Sequence, residues 1–450
     1  MEKKRIAIIG AGVSGLTASW LLHKHYAVTL FEKNDYLGGH TNTVLVEEAT
    51  QQLPVDTGFI VLNDRNYPNL EGLLSELNVA TQASDMSFAF SLQNSHQQPE
   101  LEYAGSSLRT LFAQRKNLIS LAHWQMLWEI TRFNRLALQC LQQPEQLTLN
   151  LGEFLDQHRF SKRLQDYYLL PMGAAIWSCP LNTMMAFPAR SFLQFFANHG
   201  LLTLNDRPQW YTVTGGSFCY IKAMMATMQA HIQQQPAALR VRRDTHTTNP
   251  SDHPQTTVYV QSEHGEQAFD AVIFACHGDQ ALALLNDPSD QEQTLLQSFQ
   301  YEDNVTYLHT DPALMPHNRK VWSSWNYLAR HSDESRQQMT ASYWMNQLQQ
   351  LNTTTDYFVT LNPYQLPKDD HIIREIHYQH PIFTQAAMDA QQQMPTLQGQ
   401  QQTWFCGSYL GYGFHEDAVH AALTVCLDFN VQPAWSTLDK DHTAPSQAQS

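Results

Sequence analysis

Arg5-Ile-Ala-Ile-Ile-Gly10-Ala-Gly12-Val-Ser-Gly15-Leu-Thr-Ala-Ser-Trp-Leu-Leu-His-Lys-His25, followed by Val28-Thr-Leu-Phe-Glu32, decides the fold. Residues 5–9 are a short apolar run rich in isoleucine, the signature of a strand buried on both faces. Residues 16–25 carry a helical pattern, and residues 28–32 form a second strand. Strand, glycine turn, helix and strand within about thirty residues make one βαβ unit, the setting in which G-x-G-x-x-G has a physical meaning. Gly10 tightens the turn, Gly12 lets backbone N–H groups approach a pyrophosphate, and Gly15 lets the helix sit close on the strand. Val13 and Ser14 open that helix beside the phosphates. Glu32, ending the second strand, is placed to accept from adenosine ribose hydroxyls, and its charge would repel a 2′-phosphate.

Further along, residues 42–47 and 87–91 read as strands and 67–77 as a helix. Residues 108–141 turn strongly helical, 192–198 continue so, and Gly215-Gly216-Ser217 opens a helix over 220–232. Residues 239–242, 257–261 and 271–275 read as strands, the last ending at Cys276-His277-Gly278. Helices are expected over 344–351 and 386–394 with a strand at 357–361 between them, and 403–429 is the last ordered piece. Residues 431–450 lack the apolar area that would offset ordering entropy and are expected to be flexible. Glutamine runs at 233–235, 391–393 and 400–402 read as solvated surface.

At 450 residues the chain exceeds what one core usually serves, so two connected domains are expected. A formal net charge of −15 argues against nucleic acid as a partner, since phosphate binding needs basic surface. The six cysteines include no C-x-x-C pair, which fits reduced thiols in the cytoplasm better than a disulfide scaffold or a zinc site. No apolar run is long enough for a spanning helix, so any membrane contact would be peripheral, on the inner face.

The residues after Glu32 carry a resemblance. Lys33-Asn-Asp-Tyr-Leu-Gly38-Gly39-His40 continues the acidic strand end into a Gly-Gly turn, and residues 8–40 resemble the N-terminal signature of the flavin amine oxidase, protoporphyrinogen oxidase and phytoene desaturase superfamily. Val55-Asp-Thr57-Gly58 resembles the loop that passes the isoalloxazine, and Thr214-Gly-Gly-Ser217 the turn after the substrate domain. Leu239-Arg-Val241 corresponds to the strand whose backbone meets adenine in relatives. Trp404-Phe-Cys-Gly407-Ser408 and Gly411-Tyr412-Gly-Phe414-His415-Glu-Asp417 resemble the second flavin motif. Two departures stand out: His40 occupies a position usually held by arginine, and Ser408 one usually held by an acid that binds the ribityl chain. The resemblance implies FAD as cofactor, held by these residues, with the helix starting near Glu416 directed at flavin N1 and O2.

Taken whole, residues 1–428 are similar to a bacterial group of FAD-binding oxidoreductases found with cyclopropane-fatty-acid synthases. Its markers here are Gly39-His-Thr-Asn, Val55-Asp-Thr-Gly-Phe-Ile, Leu170-Pro-Met-Gly-Ala-Ala-Ile-Trp-Ser178 and Tyr412-Gly-Phe-His-Glu-Asp417. That association implies unsaturated or methylated acyl chains as substrates and a lipid-modifying methyltransferase as partner.

Flavin oxidation asks little of protein side chains beyond positioning and exclusion of water. His415 is a candidate for stabilising reduced flavin or moving a proton, against the simpler role of holding a turn; Tyr412 is a second, weaker candidate. Met172 and Trp177 are candidate substrate contacts, against plain core packing. No metal motif is present; His377 and His380 have no third partner. Residues 106–135 are aromatic, apolar and locally basic, which suits either an ordinary surface helix or docking on an anionic membrane face.

The expected architecture is therefore α/β: a Rossmann-type FAD domain assembled from residues 1–85, 205–285 and 396–430, with an inserted mixed α+β substrate domain of residues 86–204 and 286–395. The expected activity is dehydrogenation of a largely apolar, acyl-type substrate by hydride transfer to flavin. A flavin-containing amine oxidase and a non-catalytic FAD-bound partner of a lipid methyltransferase are the alternatives.

Overall fold

The computed structural model describes residues 3–438 except 95, 97, 178–180, 204–206, 230, 247–254 and 332–336. Arg5–Ile9 is the middle of a five-stranded parallel sheet whose order is Ile232–Gln235, Ala27–Phe31, Arg5–Ile9, Ala271–Phe274 and Thr403–Phe405. Its residues alternate between two cores as strand geometry requires. Ile6 and Ile8 face helices Val13–Leu22, Phe218–Met228 and His415–Asp428. Ala7 and Ile9 face the antiparallel ribbon of Arg240–His246, Gln255–Ser262 and Gly265–Phe269. Both faces are covered, which is why the strand reads as an unbroken apolar run.

A second layer is a seven-stranded sheet in the order Ile372–Ile382, Gln300–His309, Phe358–Leu361, Gln337–Trp344, Trp325–His331, Phe88–Gln93 and Pro99–Ala104. All its pairs are antiparallel except Trp325–His331 with Phe88–Gln93. Helices Leu121–Cys140, Leu151–Gln157, Leu170–Trp177 and Ala189–Asn198 share its core, which is dominated by phenylalanine and leucine. The whole is a Rossmann-type α/β fold joined to a mixed α+β unit.

Three expectations need correction. Residues 344–351 do not form one helix: Trp344 ends the strand Gln337–Trp344, and only Met345–Leu348 is helical. Thr340 and Ser342 of this strand are buried and paired, Ser342 with Thr360 at 2.7 Å, so its pattern does not look half-exposed. The helix expected over 220–232 ends at Met228, and Ile232–Gln235 is the edge strand of the parallel sheet, paired with Ala27–Phe31, its Gln233 and Gln234 exposed as solvated surface. Residues 431–438 are packed: Trp435 lies over Gly72, and Thr437 donates through both N–H and hydroxyl to Asn69 Oδ1 at 3.1 Å. Residues 439–450, and Ser178 of the 170–178 marker, lie outside the described residues.

Candidate functional site

The glycine turn does what its spacing predicts, with a separate job for each glycine. Gly10 has φ +106°, and a Cβ there would lie 2.7 Å from the Ala275 carbonyl oxygen. At Gly15 a Cβ would lie 1.9 Å from the Gly10 oxygen. A Cβ on Gly12 meets nothing within 4 Å, because that glycine borders an open cavity. Gly10 and Gly15 therefore serve the chain's own packing, and Gly12 keeps space clear at the helix N-terminus for something else. The Ser14 hydroxyl is turned away from the phosphate end and donates to the Ala418 carbonyl at 2.9 Å, tying the two helices together.

The cavity is about 960 Å³, large for a small-molecule site. At one end it meets Gly10, Gly12, Glu32 and Lys33. Glu32 accepts from Ala11 N–H at 2.7 Å and Asn34 N–H at 2.8 Å, which fixes its carboxylate at the strand end with lone pairs still available. Val241 is not in the wall. It is wholly buried, and its carbonyl is taken by Asn286 N–H at 2.8 Å, so Ala237 and Ala238 are the backbone at this end.

The middle of the cavity is walled by Gly39, His40, Thr57 and Gly58 on one side and Gly407, Ser408, Phe414 and His415 on the other. Residues far apart in sequence meet here because several latches hold the loops. Asp56 accepts from Ser217 N–H at 2.9 Å, Ser217 Oγ at 2.8 Å, Thr43 Oγ1 at 2.5 Å and Gln349 Nε2 at 2.9 Å, fastening the Thr57-Gly58 loop to the Gly215-Gly216 turn. Gln391 donates to the carbonyls of Tyr409 and Gly411, both at 2.7 Å, securing the second motif. The glutamine at 391 is thus a loop tie and not solvated surface. Asp417 accepts from the N–H groups of Tyr412 at 3.0 Å and Phe414 at 2.8 Å, capping helix His415–Asp428.

His415 stacks on Phe59 at 3.7 Å, and its Nε2 is 3.0 Å from Thr41 Oγ1, which in turn contacts the Tyr220 hydroxyl. Burial pushes its pKa down to about 3, so the imidazole is neutral at physiological pH. It makes the local hydrogen bond expected of a turn-holding residue, to Thr41, and its neutral ring lines the cavity. His40 is neutral for the same reason, with its pKa pushed down to about 4. It bonds the Gln379 backbone through one nitrogen and stacks on Tyr378 at 4.9 Å, while Nε2 is buried with no partner. A buried nitrogen without a partner, on a residue that lines the cavity, points to a missing hydrogen-bond donor.

Sequence reasoning missed the histidines that gather beside His40. His380 packs against it at 5.1 Å and accepts from Asn304 Nδ2 at 3.0 Å, and His277 stacks on Tyr301 at 4.0 Å; both line the cavity. His377 and His380 fall on opposite faces of strand Ile372–Ile382, and His377 pairs with Glu375 at 3.0 Å. No signal in the sequence joins His40, His277 and His380, since they meet only through the packing of the second sheet onto the first.

Past Tyr412 and Phe414 the wall becomes apolar, with Met172, Ile176, Trp177, Phe195, Trp325 and Tyr343. Trp177 is both wall and core: it touches Phe187 and Phe195 at 4.7 and 4.6 Å, and its Nε1 is buried without a partner. The cavity thus runs from a polar, glycine-lined channel suited to an adenine dinucleotide into an aromatic chamber.

Residues 8–77 match the family model of the NAD(P)-binding Rossmann-like domain. Over nearly its full length the chain is similar to a CLA-producing fatty acid isomerase from P. acnes, with 14% identity, a TM-score of 0.64, and coverage of 95% of this chain and 99% of that one. A cyclohexylamine oxidase from Brevibacterium oxydans gives 13% identity and a TM-score of 0.63, covering 95% and 100%. A variant of putrescine oxidase gives 15% and 0.65, covering 95% and 99%. At these identities the likeness is one of architecture, and the chain is a Rossmann-type α/β protein built on the plan those structures share.

Proposed function

We propose that the chain is an FAD-dependent oxidoreductase that dehydrogenates a largely apolar substrate, with an unsaturated, methylated or cyclopropane-bearing acyl chain as the substrate class. The observation that carries this reading is the single cavity joining the Gly12 cradle to the aromatic chamber of Met172, Trp177 and Tyr343. The residues fit the cofactor on two counts: the space a Gly12 Cβ would fill is open, and His40 Nε2 lacks a donor. When bound, FAD would supply a hydride acceptor. Gly12, Val13 and the first turn of helix Val13–Leu22 would hold its pyrophosphate, Glu32 its adenosine ribose, and Ser408 its ribityl hydroxyls. The N-terminus of helix His415–Asp428 would favour negative charge at the far end of the flavin.

The protein's own contribution is positioning and dryness. His415, neutral and held by Thr41, serves as a hydrogen-bonding ring and not as a cationic proton donor. Tyr412 and Phe414 stand between the two halves of the cavity, where they would hold the substrate against the cofactor. An apolar chamber selects for hydrocarbon and against a charged amine, which favours acyl substrates over the amine-oxidase reading.

Anaerobic mixing of the purified yellow protein with lipid extracts, with amines and with reduced nicotinamides in separate cuvettes tests this. Loss of the oxidised flavin band with the lipid extract alone is the expected outcome. Bleaching by amines alone would replace it with an amine oxidase. Co-purification with a lipid methyltransferase and no reduction by any of the three would make the chain a non-catalytic partner.

A further inference from the structure

Helix Leu121–Cys140 is apolar on two sides, and only one of them is covered. His123, Met126, Phe133 and Ala137 face the core of the second layer. Leu121, Trp124, Trp128 and Leu138 recur at spacings that put them on one outward stripe together with Thr131 and Arg135. Leu121 is 87% exposed and Trp128 61%. The preceding turn extends the patch with Ile119, 86% exposed, and the short helix Leu108–Leu111 ahead of it begins with Leu108, 77% exposed. Trp124 Nε1 donates to the Leu118 carbonyl at 2.9 Å, which fixes the turn against the helix, so these side chains form one platform. Isolated exposed leucines need no explanation, but a contiguous group of this kind marks a contact surface.

The segment that forms the platform is opposite in charge to the protein as a whole. Residues 106–135 hold Arg109, Arg115, Lys116, Arg132 and Arg135 against a single acid, Glu129, in a chain of net charge −15. Glu129 is itself buried, its carboxylate accepting from Ser161 N–H at 3.3 Å. Tryptophan and leucine rimmed by arginine match the interface of an anionic bilayer, where aromatic rings sit at headgroup depth and basic side chains reach lipid phosphates. Among the described residues no helix is long and apolar enough to cross a membrane, so contact would be in-plane.

The exposed residues that line the cavity include a pair just ahead of this segment. Gly105 and Ser106 are both exposed and both line the cavity, and Leu108 follows two residues later. We infer that the face formed by residues 108–138 docks on an anionic lipid surface and sets the cavity mouth at Gly105-Ser106 against the bilayer, so that an acyl chain passes from membrane to site without crossing water. The entry route rests on the acyl-substrate reading above; the docking face does not.

The test is sedimentation of the full-length holoprotein with vesicles of phosphatidylethanolamine and phosphatidylglycerol, and with vesicles of phosphatidylcholine alone. Binding to the anionic vesicles, weakened by salt and with tryptophan emission quenched by lipids brominated in the acyl chain, is expected. The triple variant Arg109→Glu, Arg115→Glu, Arg135→Glu, which alters only exposed positions, is expected to lose at least about tenfold in binding at unchanged flavin content. No sedimentation with anionic vesicles, equal binding to both vesicle types, or a dimer in solution that the variant Leu121→Ser, Trp128→Ser dissociates would overturn the inference. Failure of vesicle binding with acyl-dependent flavin reduction intact removes the docking face alone. Vesicle binding without such reduction removes the acyl substrate and leaves the face standing.

Discussion

Gly12 and Gly15 look alike in the sequence and differ in what surrounds them. A methyl group on Gly15 must displace the Gly10 carbonyl from 1.9 Å, whereas one on Gly12 enters open cavity. Gly15→Ala is therefore expected to destabilise the protein by about 2 kcal/mol or more, the scale of backbone and packing clashes. Gly12→Ala should melt within a few degrees of the parent yet emerge colourless, because its methyl occupies the pyrophosphate's place. Thermal melts and the flavin absorbance of the two purified variants check this; a yellow Gly12→Ala protein would remove the cradle from the proposal. The motif spacing made the turn readable, since all its constraints are local. Val241, expected at the adenine from the same kind of analogy, was not readable so closely: its carbonyl is taken by Asn286, a partner 45 residues away that no local pattern reveals.

The C-terminal helix is joined to the rest of the nucleotide unit by its second residue. Glu416 accepts from Asn69 N–H at 3.1 Å, Asn69 Nδ2 at 2.8 Å and Leu70 N–H at 2.9 Å, and so satisfies the first amides of helix Pro68–Glu76 from another element. Burial pushes this carboxyl up to about 7, against the amides that hold it down. Glu416→Ala is expected to cost about 2 kcal/mol, the loss of buried bonds to a carboxylate plus a helix cap, with Glu416→Gln recovering part of it. Urea unfolding at neutral pH measures both. Asp56 plays the corresponding part for the Thr57-Gly58 loop. Asp56→Asn replaces by an amide nitrogen the buried oxygen that accepts from Ser217 N–H and Gln349 Nε2, and about a tenfold weakening of flavin retention is expected from the loosened loop. Titration of apoprotein with FAD reads it, and unchanged affinity would show that the loop is held by other contacts. The strands Arg5–Ile9, Ala27–Phe31 and Ala271–Phe274 and the helices Val13–Leu22, Pro68–Glu76 and Leu121–Cys140 were foreseen because apolar spacing reports them. The strands Gln300–His309 and Gln337–Trp344 were not, because Asn304, Thr340 and Ser342 are buried and hydrogen-bonded and Thr306 is buried beside them, which erases the alternation that marks a half-exposed strand.

Across the whole molecule, the buried titratable groups set how stability follows pH. His40, His199, His277, His309, His380 and His415 are all held neutral by burial, below their ordinary value of 6.5. Unfolding lets each take up a proton below pH 6.5, so the histidines destabilise the native state as pH falls towards 4. Asp56 and Asp417, raised to about 6, and Glu416, raised to about 7, act in the opposite sense, binding protons in the native state that the unfolded chain releases. Six groups outweigh three, so the melting temperature should fall between pH 6.5 and pH 4.5 and change less above neutrality. Calorimetry of the purified protein across that range would show it, and a midpoint that rises on acidification would reverse the balance. These histidines also mark the limit of what a linear chain discloses. The βαβ start, its acid, the Gly-Gly turn and the late glycine motif could be read from residue order because each acts through neighbours within a few positions. The seven-stranded sheet, the packing of Trp435 on Gly72, the gathering of His40, His277 and His380, and a cavity lined by the exposed Gly105-Ser106 came from folding alone. They depend on contacts between residues hundreds of positions apart, whose energies no local periodicity records.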